Sequence, residues 1–439
     1  MPRVLLISYL FPPGAGVGSP RALSYARYLP RYGCEVSVLT ARFATTAYND
    51  PNLLKLIPAG TPVYRAFNPE VPYRLRDSIW KKVAPPRLAA EFASTAQPKK
   101  DSFLPWKQVA RRAIERLATP DVQTAWAWFA TRKALALLAR HRFDAVLLNI
   151  PPYSTMKIGV AIKRRFPHVR LISDIRDDWV GYYLPLFDSA ASEAKRQFAV
   201  RLERELIEAS DFVSSVTPAQ RQAIRERYPR EPEQKFLCTP NGYNPDVFRG
   251  FQSRPHAFDG MVVTYFGSVY GNPVYSPKLY LDALDCLPPE VRSRIETRFI
   301  GRIAAETLPL MEGRLAPVRR FGFMPQAAGL RYLEETDYLL LIARDPTTHA
   351  GKLFDYLATG KPILALTPPE GEIARILRET RTGWVIDPAG IDSVREGLLA
   401  AWRRFQDRQH HITPCREAVE AFSWPNLAGR LARAAGLAH

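Results

Sequence analysis

The sequence predicts an α/β protein of two doubly wound domains, and three observations carry that reading. Short apolar runs alternate with helix-length segments along most of the chain. Runs such as Val4–Tyr9, Ala145–Ile150 and Tyr338–Ile342 are nearly continuous in apolar residues. Parallel strands covered on both faces have that pattern, whereas half-exposed strands alternate. Finally, a stretch rich in turn formers, Asn241–Pro255, separates two such alternating halves.

In the first half, strand Val4–Tyr9 runs into the loop Phe11–Pro20. Ser19 then suits a helix N-cap and Pro20 the first helical position. That helix ends near Pro30–Gly33, and Glu35–Thr40 is the next strand. Residues 66–120 break the rhythm with prolines and basic side chains. Alternation resumes with helix Val122–Arg140, strand Ala145–Ile150, a helix after Ser154 and strand Arg170–Asp174. Helix Ala190–Ala209 and strands Phe212–Val216 and Lys235–Thr239 follow. The second half places strands at Met261–Phe266, Glu296–Ile300, Val318–Phe321, Tyr338–Ile342, Pro362–Ala365 and Trp384–Ile386. The domains are then 1–250, with a basic insertion at about 66–120, and 251–415. Residues 416–439 hold a last helix, about Trp424–Ala435, that crosses back onto the first domain.

Composition narrows the function. With 46% hydrophobic and 24% charged residues, the 439-residue chain is neither disordered nor collagen-like nor a coiled coil. No apolar run approaches the ~18 residues of a membrane span. The start goes straight into a strand, without the pattern of a signal peptide, so a cytoplasmic location is expected. Cys34, Cys238, Cys286 and Cys415 are widely spaced and form no C-x-x-C. His411 and Cys415 make at most half of a metal site. The net charge of +18 points to a polyanionic partner: nucleic acid, an anionic membrane or a phosphorylated substrate. No nucleic-acid recognition motif accompanies it.

Three constellations carry chemistry. Gly14, Gly16 and Gly18 follow a strand and precede a helix, the place of a phosphate-binding loop. Ser19 stands where a dinucleotide fingerprint needs its third glycine, and Arg42 follows the second strand where an acid is needed. In Thr347–Pro362, Thr347 or Thr348 can cap a helix to about Ala358, with Gly360 at its end. Lys352 then sits in the first turn, where the helix dipole disfavours a cation unless an anion lies there. Asp355 is one turn on and can accept from sugar hydroxyls. An i,i+3 ion pair between Lys352 and Asp355 accounts for both equally well. Asp174-Ile-Arg-Asp-Asp-Trp179 follows a strand, at the edge where open α/β sheets bind ligands, and Asn149–Ser154 ends another. A self-neutralising Asp–Arg–Asp cluster is the plainer reading of the former. No D-x-D occurs, so the usual acidic pair for a metal on a nucleotide diphosphate is missing.

Together these residues resemble glycosyltransferase family 4. The resemblance rests on Pro12-Pro13-Gly14 with Arg21, Asn241-Gly242-Tyr243, Phe266-Gly267-Ser268, Gly351–Pro362 and Phe422-Ser-Trp424. Asn149–Ser154 followed by Asp174–Trp179 resembles the branch that assembles bacterial surface polysaccharides. The resemblance implies the GT-B fold, two Rossmann-like domains with a cleft between them. It implies a retaining transfer from a nucleotide diphosphate sugar to an acceptor hydroxyl, with neither metal nor cofactor. Lys352, Asp355, Asp174 and Asp177 would be catalytic. Gly267, Ser268, Phe323, Met324, Ala350, Gly351, Lys352, Leu353 and Asp355 would bind the donor, with the base near Phe323 and Met324, the ribose on Asp355 and the diphosphate on Lys352. Gly14, Gly16, Gly18, Arg21, Tyr153, Ser154 and Arg176 would line the acceptor side.

Two departures bear on activity. The family's two glutamates, spaced E-x7-E, are here Thr347 and Asp355. The arginine after the Gly-Ser turn is missing, and Lys278 is the nearest basic residue. A nucleotide-sugar epimerase of the same fold, or a weakly active nucleotide-sugar-binding subunit, are the alternatives. The acceptor implied is a saccharide or polyprenyl-diphosphate-linked sugar of cell-envelope or exopolysaccharide synthesis. Eleven basic and four acidic residues between Val71 and Arg116, interspersed with Trp80, Phe92, Phe103, Leu104 and Trp106, suit an anionic membrane face.

Overall fold

The computed structural model describes residues 1–15, 18–44, 49–70, 120–187, 191–324, 326–347 and 350–438. It divides into two compact units: the residues up to Asn241 with those from Trp424 onward, and Gly242–Ser423. Residues 71–119, most of the basic insertion, lie outside the described residues.

The first unit contains β1 (Arg3–Ile7), α1 (Ser19–Tyr28), β2 (Glu35–Ala41), β3 (Val63–Ala66), α2 (Thr124–Arg140), β4 (Ala145–Ile150), α3 (Thr155–Arg165), β5 (Arg170–Ile175), α4 (Glu193–Ala209), β6 (Phe212–Ser215), α5 (Pro218–Arg227) and β7 (Phe236–Cys238). Its seven strands form one sheet in the order β3-β2-β1-β4-β5-β6-β7. Every pairing is parallel, with Leu6 opposite Val38 on one side and Leu147 on the other. Leu5 and Ile7 pack with Trp126, Met156 and Leu206 on one face, while Val4 and Leu6 pack with Tyr25, Leu427 and Leu431 on the other. Burial on both faces is why these strands lack alternation.

The second unit contains β8 (Met261–Phe266), α6 (Lys278–Asp285), β9 (Ile295–Ile300), β10 (Val318–Gly322), α7 (Gln326–Glu334), β11 (Tyr338–Ile342), α8 (Lys352–Thr359), β12 (Ile363–Leu366), α9 (Glu372–Thr380), β13 (Gly383–Ile386) and α10 (Ile391–Gln406). Its parallel sheet runs β10-β9-β8-β11-β12-β13. In each sheet the strand order reverses beside the first strand, between β1 and β4 and between β8 and β11. Ligands of doubly wound folds bind at the carboxyl ends of the strands flanking such a point.

The chain closes with α11 (Trp424–Ala434), which packs on α1 in the first unit, as the crossing helix read from the sequence does. Trp424 meets Tyr25 edge-on at 5.7 Å between ring centroids. Tyr32 lies against Gly429, where any Cβ would overlap its ring, and donates to the Pro425 carbonyl at 2.9 Å.

Several local expectations change. The division falls at Asn241–Gly242, not after 250, and residues 416–423 stay with the second unit. The supposed linker is packed structure. Tyr243 bridges to Ser423, and Tyr243 and Phe248 join Phe354 and Phe422 in one core. Helix α1 is capped by Gly18, and Ser19 is its buried first residue, with no side-chain cap. Likewise α8 begins at Lys352 after Gly351; the Thr347 hydroxyl donates to Asp345 Oδ1 at 2.7 Å, and Thr348 lies outside the described residues. Strand β3 is an edge strand of four residues, half-buried and carrying Arg65, and gave no apolar run to read.

Candidate active site

In the second unit the carboxyl ends of β8, β9 and β11 meet the start of α8. Tyr356 fixes this junction: its hydroxyl accepts from the Phe266 amide at 2.7 Å and lies 3.3 Å from the carbonyls of Phe266 and Leu340. The apolar face of α8, Leu353, Phe354 and Leu357, is buried with Tyr243, Phe248 and Phe422. Sequence motifs far apart along the chain are thus the packing that seats this helix.

Lys352 opens α8 with its ammonium 3.5 Å from the centroid of the buried Tyr265 ring. It makes no ion pair among the described residues, and burial pulls it down to about 7. Gly267, at φ +136°, holds a backbone conformation that favours glycine, and a Cβ there would stand 3.3 Å from the lysine Nζ. Gly301, at the end of β9, must also be glycine, because a Cβ would overlap the Gly267 carbonyl. Asp355 accepts from Gln326 Nε2 at 3.1 Å, and burial raises its carboxyl to about 7. The Lys352–Asp355 ion pair does not form. Both side chains are half-buried, Lys352 over the Tyr265 ring and Asp355 against Gln326. A cation over an aromatic face beside a helix N-terminus can hold a phosphate, since the first-turn amides have no acceptor inside the helix.

Ala350 and Gly351 precede α8, and Ser268 follows Gly267 with its carbonyl accepting from the Tyr265 hydroxyl at 2.9 Å. Phe323 and Met324 follow β10, with the Phe323 ring about half exposed under Arg302, 5.5 Å away. Leu353 does not face this site: its side chain is in the core and its amide donates to the Ala350 carbonyl. Lys278 does not supply the missing arginine either, since it pairs with Asp282 at 2.5 Å on α6. Gly301, Arg302, Gln326 and Tyr356 were missed by sequence reasoning. Only the register of β8 against β9, which puts Phe266 opposite Ile300, brings Gly301 and Arg302 beside Gly267.

The first unit gathers the other candidates at its carboxyl edge, with different roles. Arg21 is buried on α1 and grips Asp174, at the end of β5, through two contacts of 2.6 Å. It also donates to the carbonyls of Thr239 and Pro240, and lies 5.4 Å from the Trp424 ring. The pair ties α1, β5, the residues after β7 and α11 together and offers no surface to a substrate. The catalytic role expected of Asp174 and the acceptor role expected of Arg21 would need this buried pair to open. Asp177 pairs with its neighbour Arg176 at 3.2 Å, while Asp178 holds Arg227 at 2.7 Å. Each acid of the loop therefore has an arginine of its own, rather than sharing one.

Tyr153 stacks on buried Trp179 at 4.8 Å and nearly parallel, with Tyr183 beside it. Ser154 is the N-cap of α3, with no side-chain cap, and its amide donates to Asp121 at 2.9 Å. Gly14 bridges to Asn49 in a held turn. Gly18 lies against Arg176, and Gly16 falls outside the described residues. No trio of His, Cys, Asp or Glu able to hold a metal exists among the described residues.

Two parallel sheets, each with candidate ligand groups at its carboxyl edge, define a glycosyltransferase-like GT-B fold. Residues 18–242, just over half the chain, match the model of the glycosyl transferase 4-like domain, and the chain belongs to that family of glycosyltransferases. Similar solved structures include Anabaena HepE in complex with UDP and glucose, at 13% identity, TM-score 0.60 and 99% coverage of both chains. The lipopolysaccharide-biosynthesis glycosyltransferase WaaG is similar at 16% identity and TM-score 0.55, over 99% of this chain and 96% of that one. A trehalose-phosphate synthase from Burkholderia xenovorans, in complex with glucose-6-phosphate, is similar at 12% identity and TM-score 0.59, over 99% and 100%. Among curated proteins no sequence matches the chain.

Proposed function

We propose that the chain moves a sugar from a nucleotide diphosphate sugar to an acceptor hydroxyl with retention at the anomeric carbon. One observation carries this reading: Lys352 is a desolvated cation at a helix start with no ion pair among the described residues. The donor's diphosphate supplies that anion, held by Lys352 and the amides of the α8 start. Asp355 accepts from the ribose hydroxyls, and the base rests near Phe323 and Met324. HepE, captured with UDP and glucose, supports a nucleotide-sugar donor.

In the reaction the bond from the anomeric carbon to the diphosphate oxygen breaks. A bond to the acceptor oxygen forms on the same face, and the acceptor's proton passes to the departing phosphate. No protein nucleophile is assigned. Lys352 stabilises the charge that grows on the leaving group, and the remaining contacts orient the two substrates. No metal is needed where a lysine and helix amides neutralise the diphosphate.

The acceptor fits a lipid-linked saccharide of envelope or exopolysaccharide synthesis, with the protein peripheral to the cytoplasmic membrane face. WaaG, of lipopolysaccharide biosynthesis, supports the pathway class. The insertion expected to dock lies outside the described residues, but the first unit carries a patch of the same chemistry. Phe43, Phe67 and Trp128 are each more than half exposed. Arg42 lies over Phe43 and Arg132 over Trp128, beside a cavity of about 720 Å³ that Arg65 and Lys133 also line. Exposed rings among cations suit an anionic lipid interface. No helix among the described residues is long and apolar enough to cross a membrane.

The test is turnover of a nucleotide-sugar panel with envelope saccharide acceptors, followed by NMR of the new linkage. Acceptor-dependent release of the nucleoside diphosphate with retained configuration is the expected result. Donor turnover without acceptor would identify an epimerase, and binding with no turnover a binding subunit.

A further inference from the structure

The carboxyl edge of the first sheet holds buried polar atoms that no described residue satisfies. Nη1 of Arg176, Oγ of Ser19 and Oδ1 of Asn149 are each buried without a hydrogen-bond partner among the described residues. All three border Gly18, the cap of α1. Asn149 Nδ2 approaches the Gly18 carbonyl at 3.5 Å, Ser19 is the next residue, and a Cβ at Gly18 would stand 2.8 Å from Nη1.

The Arg176 side chain is only 10% exposed. Asp177 Oδ2 accepts from its Nε and Nη2 at 3.3 and 3.2 Å, which fixes the guanidinium by one edge and leaves Nη1 facing α1. Buried polar groups in folded proteins are nearly always partnered, so three orphans around one helix start point to a ligand that completes them. The first-turn amides of α1 and its dipole add attraction for an anion. A phosphate there accepts from Nη1, Ser19 Oγ and the helix amides, and a hydroxyl of the same molecule can donate to Asn149 Oδ1. Tyr153 lies close enough to Arg176 to feel its charge, and the Tyr183 ring beside Tyr153 is 41% exposed, a face on which sugar rings pack.

We infer that this place takes a phosphate group carried by the acceptor, which makes the acceptor a phosphorylated saccharide. The inference rests on the glycosyl-transfer reading above and names the substrate class of its acceptor side. The same anion chemistry could come from the donor's diphosphate, and the experiment separates the two sources.

Calorimetric titration of the full chain uses inorganic phosphate, glucose 6-phosphate, glucose and UDP. Both phosphates are expected to bind, with glucose at least tenfold weaker than its phosphate. R176Q should weaken both phosphates at least tenfold and leave UDP within twofold of wild type. Gly18→Ala is the second variant, because its φ of −84° accepts alanine while the new Cβ crowds Nη1. It should act in the same direction if R176Q fails to fold. Unchanged phosphate affinity in the folded variants, or no phosphate binding to wild type, overturns the proposal. A loss of UDP binding as large as that of phosphate also overturns it and assigns the site to the donor. The donor reading fails by a different result, UDP binding that survives Lys352→Ala.

Discussion

Lys352 and Asp355 are drawn toward neutrality from opposite sides, each to about 7 by burial. Binding a diphosphate favours the charged lysine, and accepting from a ribose favours the charged aspartate. Nucleotide affinity should therefore rise with pH as Asp355 ionises and fall above about 7 as free Lys352 loses its proton, by up to about tenfold per pH unit. Titrations from pH 5.5 to 9 should trace this bell, with D355N removing the acid limb. An affinity flat across that range would mean neither group touches the nucleotide. At this scale the sequence was only partly legible. A lysine in a first helical turn marks Lys352 as an anomaly, whereas nothing in the sequence shows that Asp174 and Arg21 are clamped to each other. A charge after a strand looks the same in sequence whether it faces solvent or is clamped inside, and burial decided that pair.

Among elements, α8 carries the proposed donor site and Tyr356 anchors α8. Tyr356→Phe keeps the ring but leaves the Phe266 amide without an acceptor, which should cost about 1–3 kcal/mol. Denaturant unfolding should show that loss, and nucleotide affinity should fall with it because the helix start loses its anchor to β8. Stability equal to wild type would remove Tyr356 from this role. The strands were legible because burial on both faces leaves continuous apolar runs, as in Tyr338–Ile342. Helix starts were not: Ser19 and Thr347 have the right side chains for caps, but glycines precede the first helical residues and neighbouring contacts set the boundary. The turn-rich 241–255 stretch read as a linker because Tyr243 and Phe248 are too isolated in sequence to announce a core that Phe354 and Phe422 complete.

For the whole molecule, the two-unit architecture was legible from strand–helix alternation, and α11 returns to the first unit because Trp424, Leu427 and Leu431 complete its core. The net charge of +18 was legible too, but not where it acts. If the Phe43–Trp128 patch meets anionic lipid, the chain should float with anionic vesicles at low salt and release as salt rises. Reversing Arg42 and Arg132 to glutamate should weaken that binding by about 2 kcal/mol or more, near 1 kcal/mol per basic residue. Equal flotation of this variant would exclude the patch. The central claim is that the α8 start holds the donor's diphosphate, and calorimetric titration of nucleoside diphosphates and their sugars into wild type and Lys352→Ala tests it most directly. Wild type should bind at least one of them, and the variant should lose about 1.5–3 kcal/mol, the worth of a charge-assisted contact. A folded Lys352→Ala protein that binds the same nucleotide as tightly as wild type would contradict it.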